Sequence, residues 1–274
     1  MWSGDELDLE AYLARIGYAG QLAPDLDTLR RVHRAHVRTI VFESLDVLLG
    51  RPVGLDLKSI QDKLVHGGRG GYCYEQNSLL AAALERIGFR VSGRAARNRT
   101  RGALMPVTHA LLVVTLDGGP WLCDAGFGHQ GPLEPVPLGR AGTDVRQGEW
   151  TYRIREEEDG ILALCFLREG EWRDLYAFSP QRMYPVDWVL MNHYSSSHPR
   201  AAFTRQLIVQ RTAESARTAL IGDRLTVLPA GGRAPAVRRT VPAGELLPLL
   251  DREFGIRLSD RDSVELLRRY PAED

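Results

Sequence analysis

The chain has 274 residues, 44% of them hydrophobic, with 35 basic residues against 35 acidic ones. That length supports a sizeable core and one to three domains, and the balanced charge argues against a nucleic-acid surface or a charged tail. Three cysteines, Cys73, Cys123 and Cys165, are too few and too scattered for a disulfide framework and fit no zinc spacing, so no metal is expected.

The opening "MWSGDELDLEAYLARIGY" is acidic and lacks the basic-then-apolar order of a secretory signal. No apolar run approaches the length of a membrane span. The expected setting is a reducing cytoplasm, with neither a membrane nor nucleic acid as partner. "LDLEAYLARIGY" predicts a short amphipathic helix ended by Gly17. "LDTLRRVHRAHVRTI" predicts a second, with Leu29, Val32, His36, Val37 and Ile40 on one stripe and Asp27 or Thr28 as cap. "LKSIQDKLVHGG" reads as a third helix, stopped by Gly67.

"GRGGYCYEQNSLLAAALERIGF" reads as the fourth. Leu79, Leu80, Ala83, Leu84 and Ile87 recur at helical spacing, and Gly88 fits the position just past the end. Gly70 and Gly71 are read as a tight turn into it. Cys73 then lies near a helix N-terminus, where free N–H groups and the macrodipole favour an anion. The thiolate is the form of cysteine that attacks. Glu75 and Asn77 read as first-turn residues that satisfy free N–H groups.

The middle of the chain reads as β: "HALLVVTL", "GPWLCDAGFG", "EWTYRIREEE", "GILALCFL" and "EWRDLYAF" are short runs separated by Gly, Asp and Pro. The pattern loosens near "MYPVDWVLMNHYSSSHPRAAF". Beyond it "RQLIVQR", "ARTALI" and "RLTVL" read as strands, with Gly222–Asp223 turning the second hairpin. "AGELLPLLDREFG" and "DSVELLRRY" read as closing helices. The chain thus divides into a helical 1–90, a β-rich 91–200 and a mixed 201–274.

A nucleophilic cysteine needs a base and a group to orient it. His33, His36 and His66 fall on helices, where surface or core roles are commoner, and His129, His193 and His198 fall in loops. His109 opens an apolar strand, where an imidazole needs a partner. If Asp117–Gly118 forms a two-residue turn, Asp124 faces Leu111, and His109 and Asp124 project from one face as diagonal neighbours. A three-residue loop would set them on opposite faces. Cys123, one residue from Asp124, points the other way and reads as an inert buried thiol; Cys165 reads as core.

"RGGYCYEQN" (Arg69 to Asn77) resembles the Arg-Gly-Gly-x-Cys-x-Glu-x-Asn signature of the arylamine N-acetyltransferases. "VFESL" resembles that family's Phe-Glu-Asn-Leu segment, and "THALLVV" and "DAGFG" resemble its histidine and aspartate segments, in order. Val41 stands where proline is usual and Ser44 where asparagine is usual. The resemblance implies an α+β fold: a helical N-terminal bundle, a β-barrel middle domain, a C-terminal α/β lid, and a cysteine-protease-like Cys-His-Asp core. It implies Cys73 as nucleophile, His109 as base and acid, and Asp124 as orienter. It further implies that the cysteine takes an acetyl group from acetyl-CoA, releases coenzyme A, and passes the acetyl group to an aromatic amine or hydrazine. Glu43 and Arg69 would form an ion pair bracing the cysteine loop. Phe42 and Phe127 would border the amine pocket, and Gly126 and Gly128 either let backbone approach a ligand or only make a turn. Three other readings compete: a macrolactam-forming amide synthase of the same family, a cysteine hydrolase, and a binding module in which Cys73 is merely buried.

Overall fold

An aspartate starts each of the first two helices. Asp8 caps α1 (Leu9–Ile16) by accepting the Ala11 N–H at 2.9 Å, and Gly17 ends it at φ 68°. Asp25 caps α2 (Leu26–Thr39), accepting the Thr28 N–H at 2.8 Å. The cap is therefore Asp25 rather than Asp27 or Thr28, because the helix begins at Leu26, three residues before its apolar stripe at Leu29, and Thr28 is the donor. The structure is a computed structural model and describes residues 1–100, 102, 104–230 and 235–270.

After α2 come a short strand, β1 (Phe42–Glu43), and two short helices, α3 (Leu45–Leu48) and α4 (Leu57–Gln61). The third predicted helix is regular only through α4; residues 62–66 widen into a π-helical turn before Gly67. The cysteine helix is α5 (Cys73–Ile87), ended by Gly88 at φ 109°. Gly70 and Gly71 do not make the turn expected of them. They let the cysteine loop lie against β1: the Glu43 N–H donates to the Gly71 carbonyl at 3.1 Å, and a Cβ on Gly70 would fall 2.1 Å from the Val41 carbonyl oxygen.

Eight strands follow: β2 (Arg90–Asn98), β3 (Val107–Leu116), β4 (Gly119–Cys123), β5 (Val136–Pro137), β6 (Asp144–Gln147), β7 (Trp150–Glu156), β8 (Leu162–Arg168) and β9 (Glu171–Phe178). They form one barrel-like antiparallel sheet in the order β5-β4-β3-β2-β9-β8-β7-β6. Helix α6 (Pro185–Ser197) occupies the stretch where the sequence pattern loosens. Then β10 (Ile208–Thr212), β11 (Ala216–Ile221), β12 (Arg224–Pro229) and β13 (Val237–Thr240) build a second sheet, ordered β1-β10-β11-β12-β13. Helices α7 (Ala243–Phe254) and α8 (Asp260–Arg269) cover it. The Phe42–Glu43 segment is thus the edge strand of the C-terminal sheet, pairing with Val209 and Gln210.

Helix α5 is the spine of the larger core. Leu79, Leu80, Ala83 and Leu84 are fully buried, and each leucine contributes about 2 kcal/mol by leaving water. The smaller core sits between the second sheet and Leu246, Leu249, Leu250, Phe254 and Leu266. Among the described residues no helix is long and apolar enough to cross a membrane, and no group of three or more His, Cys, Asp or Glu side chains could hold a metal.

Candidate active site

Cys73 is the first residue of α5 and is buried. The hairpin β3–β4 pairs Leu116 with Gly119 and Leu112 with Cys123, so the turn has two residues and the register puts Asp124 level with Leu111. His109 Nε2 donates to Asp124 Oδ2 at 2.7 Å, with both side chains buried. Burial alone would lower the basicity of His109. The Asp124 carboxylate, its hydrogen bond and then the Cys73 side chain outweigh that and push His109 up to about 10. Burial works to raise Asp124, but His109, Asn77 and the Gly126 N–H hold its carboxyl below the ordinary range. Cys73, His109 and Asp124, which come from three separate elements, are therefore neighbours in a polar cluster that favours an imidazolium.

Asn77 is not the N–H satisfier that its place in α5 suggests. It lies one turn beyond Cys73, and its Nδ2 donates to the Ala110 carbonyl at 2.7 Å and to Asp124 Oδ1 at 3.0 Å. Its Oδ1 accepts the Ala125 N–H at 3.0 Å. One amide thus ties the cysteine helix to the strand carrying His109 and to the end of the strand carrying Asp124. His33 braces the same point from α2, its Nε2 accepting the Asp124 N–H at 3.0 Å while Nδ1 donates to the Leu133 carbonyl at 3.0 Å. Burial lowers His33, consistent with a neutral ring. The i, i+4 spacing of Cys73 and Asn77 was the available signal for the first; the second left none, because its partner is a backbone group 91 residues away.

Behind the cysteine loop lies a buried ionic network. Glu43, which is fully buried, accepts the Arg69 Nε–H at 2.9 Å through one oxygen, with Arg69 Nη2 in ion-pair contact 2.7 Å from the same oxygen, and accepts the Leu45 N–H at 2.8 Å through the other. Lys63 bridges Asp46 and Glu75, 2.7 Å from each. Glu75 also accepts the Tyr72 N–H at 3.1 Å, so it does serve the helix start. Burial pushes Glu75 up to about 7 against the pull of Lys63, whereas Asp46, less buried and shared by Lys63 and Arg69, is held below the ordinary range despite its own burial. Sequence reading found neither Lys63 nor Asp46, whose partners are remote along the chain.

A cleft of about 800 Å³ opens onto Cys73 and His109. Phe42, Gly126 and Phe127 are on its wall, with Phe127 edge-on to the His109 ring at 5.1 Å and Phe42 tilted on Phe203 at 6.0 Å. Gly126 is required by proximity to the thiol: a Cβ there would lie 2.5 Å from Cys73 Cα. Gly128 answers to packing, since its φ is 85° and a Cβ would fall 1.8 Å from Gln210 Oε1. Among the described residues the wall carries Arg200 and Arg205 but no carboxylate. Tyr72 and Tyr74 anchor α6 to the cysteine helix through Asn192 and Ser195. Burial raises the other two thiols, Cys123 well above its ordinary value and Cys165 to about 11.

A sequence profile described as N-acetyltransferase matches residues 25–264. The chain is 38% identical to the arylamine N-acetyltransferase of Mycobacterium tuberculosis, over 98% of this chain and 99% of that protein. The chain belongs to the arylamine N-acetyltransferase family. The Nocardia farcinica arylamine N-acetyltransferase structure matches at TM-score 0.92 and 42% identity, covering 97% of this chain and 95% of that one. The Mycobacterium marinum arylamine N-acetyltransferase in complex with CoA matches at TM-score 0.89 and 35% identity, covering 96% and 98%. The protein is thus an acyltransferase enzyme, and the α+β fold with a barrel-like sheet agrees with these arylamine N-acetyltransferases over nearly the whole chain.

Proposed function

We propose that this enzyme moves an acetyl group from acetyl-CoA to an aromatic amine or hydrazine through a thioester on Cys73. The observation that carries this reading is the buried His109–Asp124 pair beside Cys73, with Cys73 and His109 lining a cleft. The cleft suits both substrates. Phe42 and Phe127 offer aromatic faces to a flat amine, and Arg200 and Arg205, with no carboxylate among the described lining residues, suit a donor bearing phosphates.

The chemistry follows from the geometry. Cys73 attacks the thioester carbonyl, aided by the α5 N-terminus, which favours developing negative charge. The imidazolium of His109, held by Asp124, protonates the departing sulfur, and coenzyme A leaves before the amine enters. His109, now neutral, takes a proton from the amine nitrogen as it attacks the acetyl-Cys73 carbonyl, and the collapse of the tetrahedral intermediate returns the thiolate. Asp124 keeps the ring oriented throughout without itself accepting the proton. Three unpaired cysteines suit a reducing cytoplasm as the place of action.

Initial rates test the order of events. With acetyl-CoA and an aniline varied together, a substituted-enzyme route produces parallel double-reciprocal lines. Lines that intersect would require both substrates bound at once and would overturn the proposal.

A further inference from the structure

Arg217, on β11, is completely buried, and no carboxylate pairs with it among the described residues. A lone cation buried in this way is expensive, so its surroundings need a reason. Its guanidinium lies 4.3 Å from the Trp150 ring centre and 5.6 Å from that of Phe166. Nη1 donates to the carbonyls of His129 and, at 2.7 Å, Gly131; Nη2 donates to the Tyr152 hydroxyl at 2.6 Å. The Tyr152 hydroxyl in turn donates to the Gly131 carbonyl at 2.7 Å, with the Gln130 carbonyl at 3.2 Å.

Those carbonyls belong to the loop that follows Phe127 and carries His129 and Gln130 onto the cleft wall. The preceding residues are gripped from β10 of the same C-terminal sheet: Thr212 donates to the Gly128 carbonyl at 3.0 Å, and Gln210 accepts the His129 N–H at 3.2 Å. Cys73, His109 and Asp124 are held separately, by Asn77 and His33, through contacts that do not include Arg217. Only a guanidinium can supply this fork of donors while stacking on an indole; a lysine would offer one point charge.

We propose that Arg217 is a positioning residue that fixes the 128–131 loop, and with it the His129 and Gln130 part of the cleft wall, for the incoming amine. It governs the second half-reaction and the choice among amines, while leaving acetylation of Cys73 nearly untouched. This rests on the acetyl-transfer reading above.

The test separates the two half-reactions in Arg217→Lys, Arg217→Met and Tyr152→Phe. One readout is the rate of acetyl-Cys73 formation from acetyl-CoA without amine; the other is kcat/KM for hydrazine and a series of para-substituted anilines. Acetylation should stay within about threefold of wild type while kcat/KM for the anilines falls about 10- to 100-fold, the penalty of roughly 1 Å of misplacement. The ranking of the anilines should also change, and Arg217→Lys should not restore it. An equal fall in both half-reactions, or a lower melting temperature with unchanged amine kinetics, overturns the role of Arg217. If Arg217→Met does not fold, Tyr152→Phe decides by the same criteria. A wild-type protein that takes no acetyl group on Cys73 would instead overturn the acetyl-transfer reading itself.

Discussion

Replacing Glu43 by glutamine perturbs the network behind the cysteine loop at its most buried point. Oε1 receives the Arg69 Nε–H, with Arg69 Nη2 in ion-pair contact beside it, and Oε2 receives the Leu45 N–H. A glutamine keeps one acceptor and turns an NH2 toward one of these donors. Removing one partner of a buried ion pair costs about 3–5 kcal/mol. Arg69 is 17% exposed and keeps Asp46 at 3.6 Å, which argues for the lower end, near 3 kcal/mol. At about 2–4 °C per kcal/mol for a chain of this size, the melting temperature should fall by roughly 6–12 °C. Thermal and urea unfolding measure it. Glu43→Gln combined with Arg69→Met should cost less than the sum of the single changes by about 1–3 kcal/mol, since each already breaks the same pair. A shift below about 2 °C, or strict additivity, would refute the reasoning and leave the pair an exposed and dispensable one.

Asn77→Ala should cost about 1–3 kcal/mol, because the Ala125 N–H and the Ala110 carbonyl lose a buried partner, and it should lower kcat more than it raises KM; steady-state kinetics at matched stability would expose an unchanged kcat. Gly126→Ala drives a Cβ to within 2.5 Å of Cys73 Cα, so alkylation of Cys73 by iodoacetamide should slow sharply, and a wild-type rate would show that the approach relaxes at little expense. Glu75 titrates near 7 in the fold against an ordinary 4.5. A group whose value is raised on folding contributes stability that is complete below the lower value and lost as pH rises through the higher one. Unfolding free energies of wild type relative to Glu75→Gln should therefore fall by about 3 kcal/mol from pH 4.5 to above pH 7, and a difference independent of pH would contradict the burial argument.

The elements with strong periodicity or clean turns were legible in the sequence, and those held by distant partners were not. The Asp117–Gly118 and Gly222–Asp223 turns set two hairpin registers, and the first also sets the facing of His109 and Asp124. Strand β2 escaped notice because Arg90, Gly93, Arg94, Ala95 and Ala96 are poor β-formers; it forms because β3 and β9 pair with it on either side. Helix α6 was hidden because its buried face is Trp188, Asn192 and Ser195, while Val186, Val189 and Leu190 are exposed, so no apolar stripe marks the inward side. Asp25 was passed over as a cap because α2 starts before its hydrophobic pattern does. Around the site, Cys73 is legible from its place at a helix start and His109 and Asp124 from the facing that a two-residue turn gives them, while their grouping with Cys73 rests on the family resemblance. The roles of Asn77, His33, Lys63 and Arg217 are not legible, since what each does depends on a backbone group or charge that only the fold brings near.

The central claim is a covalent acetyl group on one particular sulfur. Incubating the protein with acetyl-CoA in the absence of amine, then quenching, digesting and sequencing by mass spectrometry, tests it most directly. One acetyl group should appear, on Cys73, with one equivalent of coenzyme A released, and it should vanish on adding an aniline; Cys73→Ala should take none. An acetyl group on Cys123 or Cys165, or turnover of amine with no acetyl group on any cysteine, would contradict the account.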